Sequence, residues 1–580
     1  CMERLESKKI NGQTYYYYSV WGWVNGKCRR RFQKYLGKPA DIYKAMYKPA
    51  MPLHAEVFSF GLPIVLWSEL KGQDVIGIID KLCPKRAQGM TIGKYLGIAA
   101  VNRATESASK SGMWDWFRQT SLYRVLPEAN RDTLLSQRFW DHMDAVSIND
   151  AETIWKSIIG MCLKRESIKL KEICYDGTNF YTFIDTFNNS CSLAKRGKNK
   201  QGRNNLRQVG YALFCTAEDQ IPLYYDVYPG NRNDCPVFAE IVSRFRQFLN
   251  QMGWKFDVNT SLPITLIFDK GNNSADNISL LDRNNLHFIG SVKLCEHPDL
   301  TQISNKDKRF IECTHPELQG IRVLRFDKIK VYGKSRTVLL CYNPRLFEQQ
   351  LLTLQADISK ALSGLSNIRA RLEDRANGLI KGGKAPTVDS IKKQVNTILR
   401  RQFLKDIIQI QIIEKSHLTL KYEYDTKKLD VISDTYLGKK IVITTRSEWD
   451  DQRIIKAYHD QYAIEHIFRN MKDRTTGVWW PMHHWTTQKI CIHALCCTIA
   501  TLLRALIHRR AKKALINIGY KRTFLELREI KEVLCTFKKS RRKMEVATMT
   551  VLSKRNEIQE QLLDIMGIPP VPQDVADILG

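Results

Sequence analysis

Three carboxylates are set where they can do chemistry. Asp176 closes a β-like run in YDGTNF, and Asp269 closes another in LIFDKGN, each with glycine close behind. An aspartate at the carboxyl end of a strand sits on the rim of a sheet, where the backbone is open to a ligand. Two such strands side by side bring both carboxylates onto shared divalent ions, the arrangement that two-metal phosphoryl transfer requires. The third is Glu465, in YHDQYAIEHIFRNMK, with Tyr458, Gln461 and Lys472. At 100° per residue these four fall within about 60° of one helical face, a phenol, an amide, a carboxylate and an ammonium in line. Ile464, Ile467, Phe468 and Met471 flank that face and are expected to pack on the sheet. Singly, a strand-end Asp ahead of glycine is a common turn. Asp185 and Asp226 read as ordinary strand or turn residues, and Asp234, ahead of Cys235 and Pro236, as a helix N-cap. The joint order of the three acids makes the site.

The elements that must hold them follow from patterning. Residues 166–299 alternate short β-rich runs with helical stretches, which predicts an α/β core on a mixed sheet. Residues 447–512 complete that core with the Glu465 helix. The apolar run Ile490–Leu506 carries His493 and Arg504 and is short for a bilayer, so it reads as a buried core helix. Residues 300–446 interrupt the core as an insertion. Within it, Leu351, Leu354, Ile358, Ala361, Leu365, Ile368 and Leu372 step by three and four, a heptad seam. The turn at 378–386 and a Thr387 cap predict an antiparallel partner helix with Ile391, Val395 and Ile398, between β-rich flanks. Residues 1–50 predict a basic hairpin arm turning at Asn25-Gly26. Residues 51–165 read as a helical DNA-binding domain, and 513–580 as a basic helical segment.

The chain of 580 residues carries 90 Lys+Arg against 60 Asp+Glu, a net charge of +30. That excess points to a polyanion, nucleic acid before membrane, and away from a small neutral substrate. The basic clusters are Arg29, Arg30 and Arg31 in the arm; Lys195, Arg196, Lys198, Lys200, Arg203 and Arg207 in one acid-free turn; and 504–555, with 16 Lys+Arg against 4 Glu. Each reads either as a solvated face or as a DNA-tracking surface, and the middle turn favours DNA because it leaves the sheet of Asp176. In WWPMHHW, Trp479 to Trp485, most of the aromatics are expected to pack in the core, with base stacking as the alternative. His483 and His484 have no cysteines at zinc spacing. Fifteen cysteines without one CxxC pair predict free thiols in a reducing compartment. The expected location is the cytoplasm of a prokaryote, with no secretory leader and no membrane association.

The order Asp176, Asp269, Glu465 resembles the catalytic triad of DDE-type transposases of the ribonuclease-H/retroviral-integrase superfamily. The helix resembles the Tyr-x2-Arg-x3-Glu-x6-Lys signature of the cut-and-paste insertion-sequence branch, which also carries a β-rich insertion between its second Asp and its Glu. The resemblance spans residues 166–510. It implies a ribonuclease-H-like core and three carboxylates holding two Mg²⁺ or Mn²⁺ ions. It further implies metal-dependent 3′-strand cleavage and strand transfer, double-stranded DNA as partner (transposon ends and target), and a homodimer in the synaptic complex. Tyr458 and Lys472 would contact the transposon end. Gln461 departs from the signature arginine, and Arg469, one turn beyond Glu465 and about 40° away, is a partial substitute. Some relatives stack a flipped base on a Trp in the insertion; residues 300–446 have none, leaving Tyr332, Tyr342 and Tyr436 as candidates. The rival readings are a structure-specific endonuclease of the same superfamily and a domesticated, non-catalytic DNA-binding protein.

Overall fold

A computed structural model describes residues 2–24, 27–47, 51–84, 89–198, 202–254, 264–537 and 548–572. The chain divides into two compact units: Cys1–Ser68 with Gly112–Leu134 and Arg510–Gly580, and Glu69–Ser111 with Leu135–Arg509. The helical stretch 51–165 is thus shared between both.

The larger unit is built on a ten-stranded mixed sheet. In chain order the strands are β1 (Glu172–Tyr181), β2 (Lys195–Arg196), β3 (Arg207–Thr216), β4 (Pro222–Pro229), β5 (Thr265–Phe268), β6 (His287–Val292), β7 (Ile311–Glu312), β8 (Arg322–Val331), β9 (Lys334–Tyr342) and β10 (Lys439–Thr444). Their order across the sheet is β7-β8-β9-β10-β6-β5-β1-β3-β2, with β4 also on β3. β1, β5 and β6 run parallel, whereas β3 and β4 form an antiparallel meander on β1. β3 is buried at every position, the mark of a strand covered on both faces. On one face Tyr175 and Phe214 meet Phe238 and Phe245 of helix Asp234–Gln251, the Phe214 and Phe245 rings stacking at 4.0 Å. On the other, Tyr211 meets Phe468 and bonds Thr498 of helix Thr487–Lys513. That helix is long and apolar enough to cross a membrane, yet 94% of its most apolar window is buried in the protein, as a core helix should be.

The insertion differs from its expected form. Its β-rich flanks are present, but they belong to the core sheet and not to the inserted unit. β8, β9 and β10 extend that sheet, with β10 antiparallel to both β6 and β9. The reason is β6, buried along nearly all its length, whose outer edge has backbone donors and acceptors that need a partner. The helical hairpin is as patterned. Helix Pro344–Ala376 buries Leu354, Ile358, Ala361, Leu365, Ile368 and Leu372, and helix Val388–Ile398 starts from a Thr387–Ser390 capping box. Together with the hairpin Ile408–Glu414/Leu418–Tyr424 and helix Thr426–Tyr436, it closes a hydrophobic core of its own.

In the smaller unit the arm has three strands, not two: Met2–Ile10, Gln13–Val24 and Lys27–Gly37. Asn25-Gly26 lies outside the described residues. A second Asn-Gly pair closes the first hairpin: Ile10 pairs with Gln13 while Asn11 and Gly12 take φ of 49° and 74°, the type I′ geometry that this dipeptide favours. The C-terminal segment is mixed rather than helical. Strand Lys531–Thr536 lies between His54–Ser59 and Thr548–Leu552, with helices Tyr520–Glu529 and Glu557–Ile565 on either side in sequence. The basic run Lys538 to Lys543 lies outside the described residues.

Candidate functional site

The parallel register aligns the two aspartates. Tyr175 on β1 pairs with Phe268 on β5, so the following residues, Asp176 and Asp269, stand level on neighbouring strands about 4.8 Å apart. Gly290 on β6 pairs with Phe268, which brings Ser291 level with Asp269. Asp176, Asp269 and Ser291 thus form a polar row across three parallel strands. Alternation along β1 puts Cys174, Thr178 and Phe180 on the same face as Asp176. Asp176 is half-buried, its Oδ1 accepting the Gly177 N–H at 2.8 Å, and Asp269 is exposed.

The helical stretch of Glu465 crosses this face. The Cys174 thiol donates to the Asp460 carbonyl at 3.6 Å, Lys472 Nζ donates to Thr178 Oγ1, and Trp479 stacks on Phe180 with centroids 3.9 Å apart. Glu465 lies between these anchors and is exposed, while Ile464, Ile467, Phe468 and Met471 are buried beneath. The single helix expected here is broken in two, Asp451–His459 and Tyr462–Lys472. At the break the hydrogen bonds tighten to three-residue spacing, Gln461 N–H to Tyr458 O at 3.2 Å and Ala463 N–H to Asp460 O at 2.9 Å. Asp460 is held there by Lys456 and by Cys174.

Tyr458 is buried, and its hydroxyl donates to Ser291 Oγ at 2.9 Å. Burial pushes this phenol well above its usual range, and the charges of Asp269 and Glu465 push the same way, so both carboxylates lie within electrostatic reach of it. Lys440 Nζ sits 4.9 Å from the centre of the Tyr458 ring. A cavity of about 210 Å³ opens beside the site, lined by Tyr458, His459, Gln461, Glu465, Lys440 and Asn343 among others. Gln461 is buried against it, and Arg469 is exposed farther along the helix. Lys472 also lies 5.6 Å from the Phe180 ring centre.

The basic turn divides by role. Lys195, Arg196, Lys198 and Arg203 are exposed, and Lys200 lies outside the described residues. Arg196 donates to Thr186 Oγ1 at 2.9 Å. Arg207 differs from expectation. It is buried, and its guanidinium donates to the carbonyls of Ala194, Asp185, Asn188 and Cys191 at 2.7–3.2 Å. It braces the loop from inside, with four of its five N–H donors spent on carbonyls. Arg29, Arg30 and Arg31 are exposed on the arm, Arg30 paired with Glu6 at 3.5 Å and Arg31 bonded to the Trp23 carbonyl at 3.1 Å. Of WWPMHHW, Trp479 and Trp480 are buried against Phe180 and Tyr181, whereas Trp485 is exposed. Asp226 pairs with Arg244 at 2.6 Å, a structural role; the Asp234 side chain lies outside the described residues. His484 is buried and held neutral. Among the described residues Glu317, His459 and Asp460 converge in the manner of metal ligands, but the Lys456 ammonium already sits between Glu317 and Asp460.

Sequence patterning missed Ser291, Thr178 and the bracing Arg207. Ser291 and Thr178 gain meaning only from the register of neighbouring strands. Carboxylates are hard oxygen donors that suit a divalent cation, and here two stand level on neighbouring strands under the helix that carries the third. No curated protein matches the chain. A solved structure, the cryo-EM structure of the piggyBac transposase synaptic complex with hairpin DNA, is similar over 82% of each chain, at 10% identity and a TM-score of 0.35, too distant a likeness to build on. The family model of the transposase DDE domain matches residues 169–502, which take in all three carboxylates, and the chain accordingly belongs to that DNA transposase family.

Proposed function

We propose that the chain is a transposase that binds transposon ends and carries out metal-dependent 3′-strand cleavage followed by strand transfer at Asp176, Asp269 and Glu465. The observation that carries this reading is the level register of Asp176 and Asp269 beneath the Glu465 helix. The strand order β4-β3-β1-β5-β6, antiparallel then parallel, supports a ribonuclease-H-like core. Two Mg²⁺ or Mn²⁺ ions on these carboxylates would supply the activation of the attacking oxygen and stabilisation of the leaving one. The chain's own residues do the rest. Ser291 fixes the Tyr458 hydroxyl, and the buried phenol stiffens the turn that aims Glu465 at the aspartates. Burial also supports Tyr458 as a positioning group rather than a nucleophile. Lys472, bonded to Thr178 two residues past Asp176, brings a positive charge to the path of the phosphate backbone. Lys195, Arg196, Lys198 and Arg203 add phosphate contacts without sequence readout. Two ends in one reaction call for a dimer when DNA is bound.

The test uses purified protein and a labelled duplex carrying the inverted repeats that border the gene. Asp269→Asn and Glu465→Gln are expected to lower Mg²⁺-dependent cleavage by at least about a hundredfold while duplex binding persists. Wild-type rates in both variants would sink the assignment. Cleavage of branched or flapped DNA irrespective of those repeats, with no joining, would favour the structure-specific endonuclease.

A further inference from the structure

Past its catalytic stretch, β1 ends in a cluster of aromatic rings and arginines that the reaction above does not use. Tyr181 lies five residues beyond Asp176, about 16 Å along the strand. Its buried ring is covered by two guanidiniums, Arg203 at 4.8 Å and Arg474 at 5.3 Å, and Arg474 also lies 4.7 Å from the Trp480 ring centre. Phe183 meets Tyr181 edge-on at 5.6 Å, yet is 61% exposed. Phe187 is 88% exposed, on the loop that Arg207 braces from within. Trp485 is 53% exposed, two residues before Thr487. The Thr487 N–H donates to Ser190 O at 3.2 Å and its hydroxyl accepts from the Ser192 N–H at 2.9 Å, tying the two loops together.

Three large aromatic side chains are thus presented to water on two loops tied to each other, an exposure that a folded protein rarely keeps without use. Here the charge names the occupant. Residues 182–206 carry five Lys+Arg and one acid, Asp185, whose carboxylate is turned to the Phe187 N–H at 2.7 Å. Rings for stacking, interleaved with cations for phosphates, suit nucleobases that are not paired, since every base has a π-face and a duplex hides it. We infer that Phe183, Phe187 and Trp485, with Arg203 and Arg474, form a stacking platform for unpaired bases of a DNA strand beside the cleavage site. The platform rests on the transposase reading and adds to it a preference for DNA opened next to the cut. The stiff loops matter, because a platform ordered in advance loses little entropy on binding.

Binding in EDTA separates this from cleavage. Fluorescence anisotropy would compare two labelled DNAs with the same paired length, one blunt and one with a three-base unpaired 3′ extension. Wild-type protein is expected to bind the extended DNA at least about tenfold more tightly. Phe187→Ala with Trp485→Ala should bring that ratio close to one and leave blunt-duplex affinity within about twofold, and Phe187→Tyr should keep the ratio. A wild-type ratio near one, or a double variant that keeps the preference or loses both affinities together, overturns the platform. Equal binding of both DNAs with Mg²⁺-dependent cleavage intact overturns the platform alone. No binding to either overturns the transposase reading with it.

Discussion

At the scale of single residues, the side chains that matter differ in how they are supported. Tyr458 and Ser291 share one buried hydrogen bond. Ser291→Ala leaves the phenol without an acceptor and is expected to cost about 1–3 kcal/mol, whereas Tyr458→Phe removes the donor and should cost less. Urea midpoints of the two variants would check that order. Arg207 and Arg203 make a second contrast. Arg207→Ala strips four carbonyls of a charged donor and should destabilise the protein by about 2–5 kcal/mol without changing the salt slope of DNA binding. Arg203→Ala should leave stability alone and lower that slope by about one. The aspartates are legible only jointly, from the order of three acids along the chain, and the expected strand-end position holds for Asp269 but not for Asp176, since β1 runs on to Tyr181. Ser291 is not legible, because its place beside Asp269 depends on a register with β5, which no local pattern encodes. Arg207 hid in a charge run, where one buried arginine looks like its exposed neighbours.

At the scale of elements, periodicity read the helices well and the strand partners poorly. The heptad seam of helix Pro344–Ala376 is buried where the stepping put it, with Leu365 fully enclosed. Leu365→Ala should cost about 2–5 kcal/mol, because the helical hairpin and its small sheet share one core. Limited proteolysis within 344–436 should accelerate in that variant, and unchanged cleavage patterns would contradict it. The helix of Tyr458 and Glu465 reads as continuous because its four polar side chains share a face, and the backbone does stay right-handed through Asp460 and Gln461 (φ −65° and −54°). Only the hydrogen-bond spacing changes, and a face pattern does not register that. Strand Lys531–Thr536 escaped notice for a plainer reason: its partner His54–Ser59 comes from the other end of the chain.

At the scale of the whole molecule, buried bases set the response to acid. His484 and His493 are pushed well below the ordinary value of 6.5, chiefly by burial and then by the charges of Lys110 and Arg103. Both therefore stay neutral in the native protein. Below about pH 6.5 the unfolded chain takes up two protons that the native state does not, so stability falls as pH falls. The expected slope is up to about 1.4 kcal/mol per pH unit for each histidine. Melts between pH 7.5 and 5.5 would measure it, and His493→Gln should reduce the slope by up to about 1.4 kcal/mol per pH unit. The net charge of +30 points to a polyanion, but composition does not distinguish cations on the surface from the buried ones that shape the fold.

Strand β10 has a consequence for how the protein is made. It is the seam between β6 and β9, yet it is synthesised after both, and after the helical hairpin. Until residue 444 has emerged, β6 keeps a bare, apolar edge, and pairing it requires closing a long stretch of chain. A nascent or truncated chain ending before Lys439 is therefore expected to aggregate through β6. The helix of Glu465 comes later still, so the strands that carry Asp176 and Asp269 are complete before that helix can cross them.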